Sequence, residues 1–141
     1  MSPNEEREDN GSRRRFLGAA AATAFTAASY SRILGANERL RLGVIGCGDR
    51  GRGDMGVFVK TGSVDVTALC DVYAANIDRA KTGAAAGAKT FSDHRQLLDM
   101  KDVDVALICV PDHWHAVITI AAMKAGKDVY VEKPLTRLIE E

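Results

Sequence analysis

Leu42-Gly43-Val44-Ile45-Gly46-Cys47-Gly48-Asp49-Arg50-Gly51 is an apolar strand running directly into a Gly-x-Gly-x-x-Gly spacing. Each glycine has its own steric reason to be there. Gly46 permits a tight turn, Gly48 lets backbone approach a pyrophosphate with no Cβ in the way, and Gly51 lets the next helix pack close to the strand. The unpaired N–H groups at the start of that helix then face the phosphates. Twenty residues after Gly51, Asp71 closes a second apolar strand. Three glycines at this spacing also occur in surface loops. A strand before them, a helix after them and an acid beyond them are the context that points to a dinucleotide site.

From Asn37 onward, short apolar runs alternate with amphipathic ones. The pattern predicts strands at about 40–46, 64–70, 88–91, 103–110 and 128–132, and helices at about 51–61, 73–82, 93–99 and 114–125. Strict alternation means right-handed crossovers and a parallel sheet, hence a Rossmann-type, doubly wound α/β fold. Gly62, Gly87 and Gly126 fall where helices should stop, because glycine takes the left-handed conformation without penalty.

Length and charge narrow the partners. The 141 residues suit one domain, and 46% hydrophobic content suffices for a core. Nineteen basic side chains balance nineteen acidic ones, so no net field favours nucleic acid or an anionic membrane. Cys47, Cys70 and Cys109 are odd in number and lack metal-ligand spacing, so they read as small core residues, neither disulfide framework nor metal site.

In a doubly wound sheet, ligands collect at the carboxyl ends of the strands. Asp71 there would accept hydrogen bonds from adenosine ribose hydroxyls and repel a 2′-phosphate, which favours NAD. Arg50 or Arg52 could accommodate that phosphate, so NADP stays open, and Asp71 also reads as a plain strand-end turn residue. Pro111-Asp112-His113-Trp114-His115 supports two readings. His113 and Trp114 line a nicotinamide or substrate wall, or Pro111 and Asp112 simply open a helix, with Asp112 capping its free N–H groups. The His-x-His pair lacks the further ligands of a metal site. Lys133, in Glu132-Lys133-Pro134, can hydrogen-bond a substrate hydroxyl and take part in proton transfer, or it is a surface lysine in a turn fixed by Pro134.

Three segments together, Arg41 to Gly51, Val110 to His115 and Val131-Glu132-Lys133-Pro134-Leu135-Thr136, resemble the N-terminal half of the Gfo/Idh/MocA oxidoreductases over roughly residues 37–141. The resemblance implies that Gly46, Cys47, Gly48, Asp49, Arg50 and Gly51 form the NAD(P) loop, and that Asp71 addresses the ribose. Pro111, His113, Trp114 and Glu132 complete the expected cofactor surroundings. Lys133 becomes the expected catalytic residue, contacting the hydroxyl being oxidised, while Glu132 and Pro134 shape its turn. The implied chemistry is hydride transfer at a sugar or cyclitol hydroxyl, or, in related enzymes that keep NAD bound, cleavage of a glycoside. A non-catalytic nucleotide-binding remnant is a third reading. Relatives are expected to be homo-oligomers and to continue into a second α/β domain that supplies the substrate pocket. The chain stops at Glu141, and Leu138 stands where relatives commonly carry a helix-capping Ser or Thr. The expectation is therefore a nucleotide-binding fragment without useful turnover by itself.

Residues 1–36 read as a separate object. Ser12-Arg13-Arg14-Arg15-Phe16-Leu17, followed by the small, mildly apolar run Gly18 to Ala28, resembles a twin-arginine export signal, and implies the twin-arginine machinery and a periplasmic destination. The run is too short and alanine-rich for a spanning helix, which needs about 20 apolar residues. A basic tail before an alanine helix is the alternative. Small residues at Ala28 and Ala36 mark no clear cleavage point.

Overall fold

The computed structural model describes residues 39–138 and 140. The expected export signal and linker at 1–36 lie outside them. The described elements are β1 (Leu40–Ile45), α1 (Asp49–Lys60), β2 (Val64–Cys70), α2 (Ala74–Ala80), β3 (Lys89–Phe91), α3 (His94–Leu98), β4 (Val105–Ile108), α4 (His115–Lys124) and β5 (Asp128–Val131). Short 3₁₀ turns at Lys81–Gly83 and Asp112–Trp114 follow α2 and precede α4.

Among the described residues five strands form one sheet in the order β3-β2-β1-β4-β5, every pair parallel. The chain winds outward from β1 through β2 to β3, then crosses back to place β4 on the other side of β1. That reversal opens a crevice beyond the carboxyl ends of the central strands. Alternating side chains feed two cores. Leu42, Val44, Leu69 and Leu107 meet Met55 and Ile77 of α1 and α2 on one face. Ile45, Ala106 and Ile108 meet Leu97, Leu98, Ile118 and Ala122 of α3 and α4 on the other. At Gly43 an added Cβ would come within 2.7 Å of Leu97, so glycine lets α3 sit close to the sheet.

The elements match the sequence reading in kind and order, and β2 matches it to the residue, while others differ at their ends. α1 starts at Asp49, two residues earlier than expected, with Gly48 as its N-cap. β4 is shorter than 103–110, and α4 begins at His115, because Asp112–Trp114 winds as a separate 3₁₀ turn. The Asp112 carboxylate accepts the neighbouring His113 N–H at 2.8 Å and does not cap α4. Gly62 and Gly126 do lie just beyond helix ends with φ of 74° and 72°. Gly87, also left-handed at 87°, sits in a turn beyond the 3₁₀ segment and ends no helix.

Candidate dinucleotide site

Backbone hydrogen bonds carry the sheet past its strand ends and align them along one edge. Gly46 N donates to Cys70 O, Cys109 N to Ile45 O, and Glu132 N to Ile108 O, at 2.8 to 3.0 Å. The glycine loop, Asp71, Cys109 and Glu132 therefore arrive side by side.

The three glycines divide the work by geometry. Gly46 has φ of 91°, and a Cβ there would lie 2.3 Å from Cys109 O. A Cβ on Gly51 would lie 1.9 Å from Gly46 O. Both hold the loop against its neighbours. A Cβ on Gly48 would meet nothing within 4 Å. Gly48 lines an open cavity of about 650 Å³ and caps α1 without any side-chain hydrogen bond, so the first N–H groups of the helix have no competing acceptor on their cap. This is the shape and polarity that a pyrophosphate requires.

Asp71 stands on the same cavity, tied down on three sides. Its Oδ2 accepts Cys47 N–H at 2.8 Å and Asn76 Nδ2–H at 3.1 Å, and its Oδ1 accepts Tyr73 N–H at 2.8 Å. Cys47 thus spends its backbone donor on Asp71. Its side chain is fully buried, and burial followed by the Asp71 charge pushes the thiol up to about 12. Its place is under the loop, as a core residue. Cys70 and Cys109 are likewise pushed up to about 12 by burial. All three thiols are free.

A second cavity, of about 410 Å³, is lined by Arg50, Asp112, His115, Glu132 and Lys133, and shares Cys109 and Val110 with the first. Arg50 reaches across it: its guanidinium donates to Glu132 Oε1 at 2.5 Å and pairs with Asp54 Oδ2 at 3.0 Å. That donation holds the Glu132 carboxyl below its ordinary range. Glu132 Oε2 in turn accepts Lys133 N–H at 3.3 Å. On the other side of the turn the buried His115 ring places Nδ1 2.5 Å from Pro134 O and Nε2 2.8 Å from Val110 O. The Lys133–Pro134 peptide between these anchors is cis.

The expected residues are therefore distributed over two places. Gly46, Gly48, Asp71, Pro111 and Trp114 line the larger cavity, and Arg50, Glu132 and Lys133 the smaller. Trp114 belongs with Asp71 and not with Lys133, because the 3₁₀ turn swings the indole toward His94, with ring centroids 6.4 Å apart. His113 lines neither cavity; it is exposed, beside Asp112. Asp49 also points outward, paired with Arg52 at 2.6 Å. Neither histidine of His113-Trp114-His115 shares a site with the other. Asn76 and His94 were not expected, and His115, read in the sequence only as part of the strand-end cluster and an incomplete metal pair, anchors the turn at Pro134. Asn76 stands five residues beyond Asp71 on a new helix, a position from which a side chain can fold back, and that spacing was its one legible signal.

The family model of the Gfo/Idh/MocA oxidoreductases, described as an NAD-binding Rossmann fold, matches residues 40–141. A Shewanella sp. (strain ANA-3) relative named glycosyl hydrolase family 109 protein 1 is 36% identical over 112 residues, covering 74% of this chain and 24% of the relative. The solved NAD binding oxidoreductase of Klebsiella pneumoniae is 35% identical with a TM-score of 0.62, over 70% of this chain and 28% of its own. Levoglucosan dehydrogenase, solved with NADH, is 28% identical with a TM-score of 0.63, over 71% of this chain and 29% of its own. The chain thus spans about a quarter of the length of the relatives it matches. A glycine loop with open space over Gly48, an acid at the end of β2 and a matching family model together place this chain in the Gfo/Idh/MocA oxidoreductase family, as its NAD-binding Rossmann fold.

Proposed function

We propose that this chain is the nucleotide-binding part of an exported enzyme that moves a hydride between NAD and a sugar or cyclitol hydroxyl. The observation that carries this reading is the pair of adjoining cavities that share Cys109 and Val110, one holding Asp71 and Gly48, the other Lys133. When bound, NAD supplies the hydride acceptor or donor. The chain's own residues do the rest. With NAD bound, the N-terminus of α1 would hold the pyrophosphate over Gly48, and Asp71 would accept a hydrogen bond from a ribose hydroxyl. Lys133 is the group on the smaller cavity that can hold or pass the proton of a substrate hydroxyl. Arg50 and His115 fix the turn that carries it. NAD is favoured over NADP because Arg50, Arg52 and Arg95 are each already held by a carboxylate.

Titration calorimetry with NAD and NADP tests the core of this reading, with tighter binding of NAD expected. A folded chain that binds neither overturns it. Incubation of this chain with NAD and a panel of sugars and cyclitols should give no appreciable NADH absorbance, and turnover at the rate of a full-length relative overturns its reading as the nucleotide-binding part alone. The glycosyl hydrolase relative favours one further reading, glycoside cleavage with NAD retained. Free sugar released without net NADH would select it. Export by the twin-arginine route is checked by Arg13→Lys with Arg14→Lys, which should leave the protein in the cytoplasm.

A further inference from the structure

An ionised carboxylate offers about four in-plane acceptor positions. Asp71 has filled three: two on Oδ2, from Cys47 N and Asn76 Nδ2, and one on Oδ1, from Tyr73 N. One position is left, on Oδ1. Two of the three donors are backbone groups that any sequence would supply. The third is a side chain, and Asn76 also lines the cavity that Asp71 faces.

The other end of the same amide faces a cation. Asn76 Oδ1 accepts from Arg79 Nη1 at 3.4 Å, a long and weak contact. Helical side chains lean toward the N-terminus of their helix, which for α2 is the Asp71 end. Arg50, Arg52 and Arg95 each have a carboxylate partner, whereas the partner shown for Arg79 is this neutral amide oxygen. Asn76 thus stands between the charge that repels a 2′-phosphate and a guanidinium that would attract one.

We propose that Asn76 is a specificity-determining residue of the dinucleotide site. It leaves Asp71 a single acceptor position for a ribose hydroxyl and keeps Arg79 from neutralising the carboxylate. The inference rests on the reading of this cavity as an NAD site. Without the amide, Oδ2 regains an open position and Arg79 is released toward Asp71. A phosphate on the 2′ oxygen then meets less net negative charge.

The test is titration calorimetry of the full chain and its Asn76→Ala variant with NAD and with NADP. Alanine is the best helix former, so α2 should persist, and a thermal melt checks it. NADP binding should strengthen relative to NAD as Arg79 approaches Asp71, so that the preference for NAD falls at least threefold. Adding Arg79→Ala to the variant should restore the preference. Equal weakening of both nucleotides, or an unchanged preference, overturns the proposal; if Asn76→Ala does not fold, Asn76→Ser is judged by the same ratio. Failure of the parent chain to bind NAD overturns the underlying reading instead.

Discussion

Gly48 and Gly51 are the same residue type three positions apart, yet their surroundings give opposite expectations. Alanine at 51 would press its Cβ to 1.9 Å from the Gly46 carbonyl oxygen, so Gly51→Ala should cost about 3 kcal/mol of stability as α1 is forced off the sheet. Gly48 has an ordinary φ of −65° and empty space above it, so Gly48→Ala should fold normally and lose NAD affinity about tenfold or more. Urea denaturation beside calorimetric titration separates the two effects. The spacing in the sequence already implied three roles for three glycines. The sequence did not show that Cys47 is committed to Asp71, since only the fold brings a loop N–H to 2.8 Å from a carboxylate 24 residues away.

At the scale of elements, α1 is an unlikely helix on propensity alone, with Gly51, Gly53 and Gly56 in twelve residues. Packing holds it: Met55 is buried against the sheet, and Phe58 packs edge-on to Tyr130. A Cβ on Gly53 or Gly56 would meet nothing within 4 Å, so Gly53→Ala and Gly56→Ala should each stabilise by about 1 kcal/mol, read as a shift in urea midpoint. Strands β1 and β4 are locked at their other end by Arg41, whose Nε, Nη2 and backbone N–H donate to Asp104 while Nη1 donates to Asp102. The donations to Asp104, the guanidinium first, hold its carboxyl below its ordinary range. A depressed folded-state pKa contributes stability that is complete above the unfolded value and is lost as pH falls through the folded one. Stability should therefore drop below about pH 4, and the drop should be shallower in Asp104→Asn, measured as urea midpoints over a pH series. The sequence located these elements, and β2 to the residue, but missed where β4 ends and α4 begins, because the Asp112–Trp114 turn is set by how β4 meets α4 and not by local propensity.

For the whole molecule, stability and binding should be linked through one sheet. Leu107 is fully buried at the centre of β4 among Leu42, Val44 and Leu69, so Leu107→Ala should cost about 2–5 kcal/mol. NAD at a hundred times its Kd should return about 2.7 kcal/mol, seen as a raised melting temperature in the variant as in the parent. The sequence by itself determined the parallel α/β architecture, the glycine loop, the acid at the end of β2 and the lysine after β5, because periodicity, glycine sterics and strand-end position are local and written in neighbouring residues. Only the tertiary structure decided which of these residues share a cavity. It set Trp114 with Asp71 and Arg50 with Glu132, left His113 outside, and brought Asn76 and His115 into the site. Those juxtapositions join side chains from separate strand ends, and their distances exist only once the crossovers have aligned the strands.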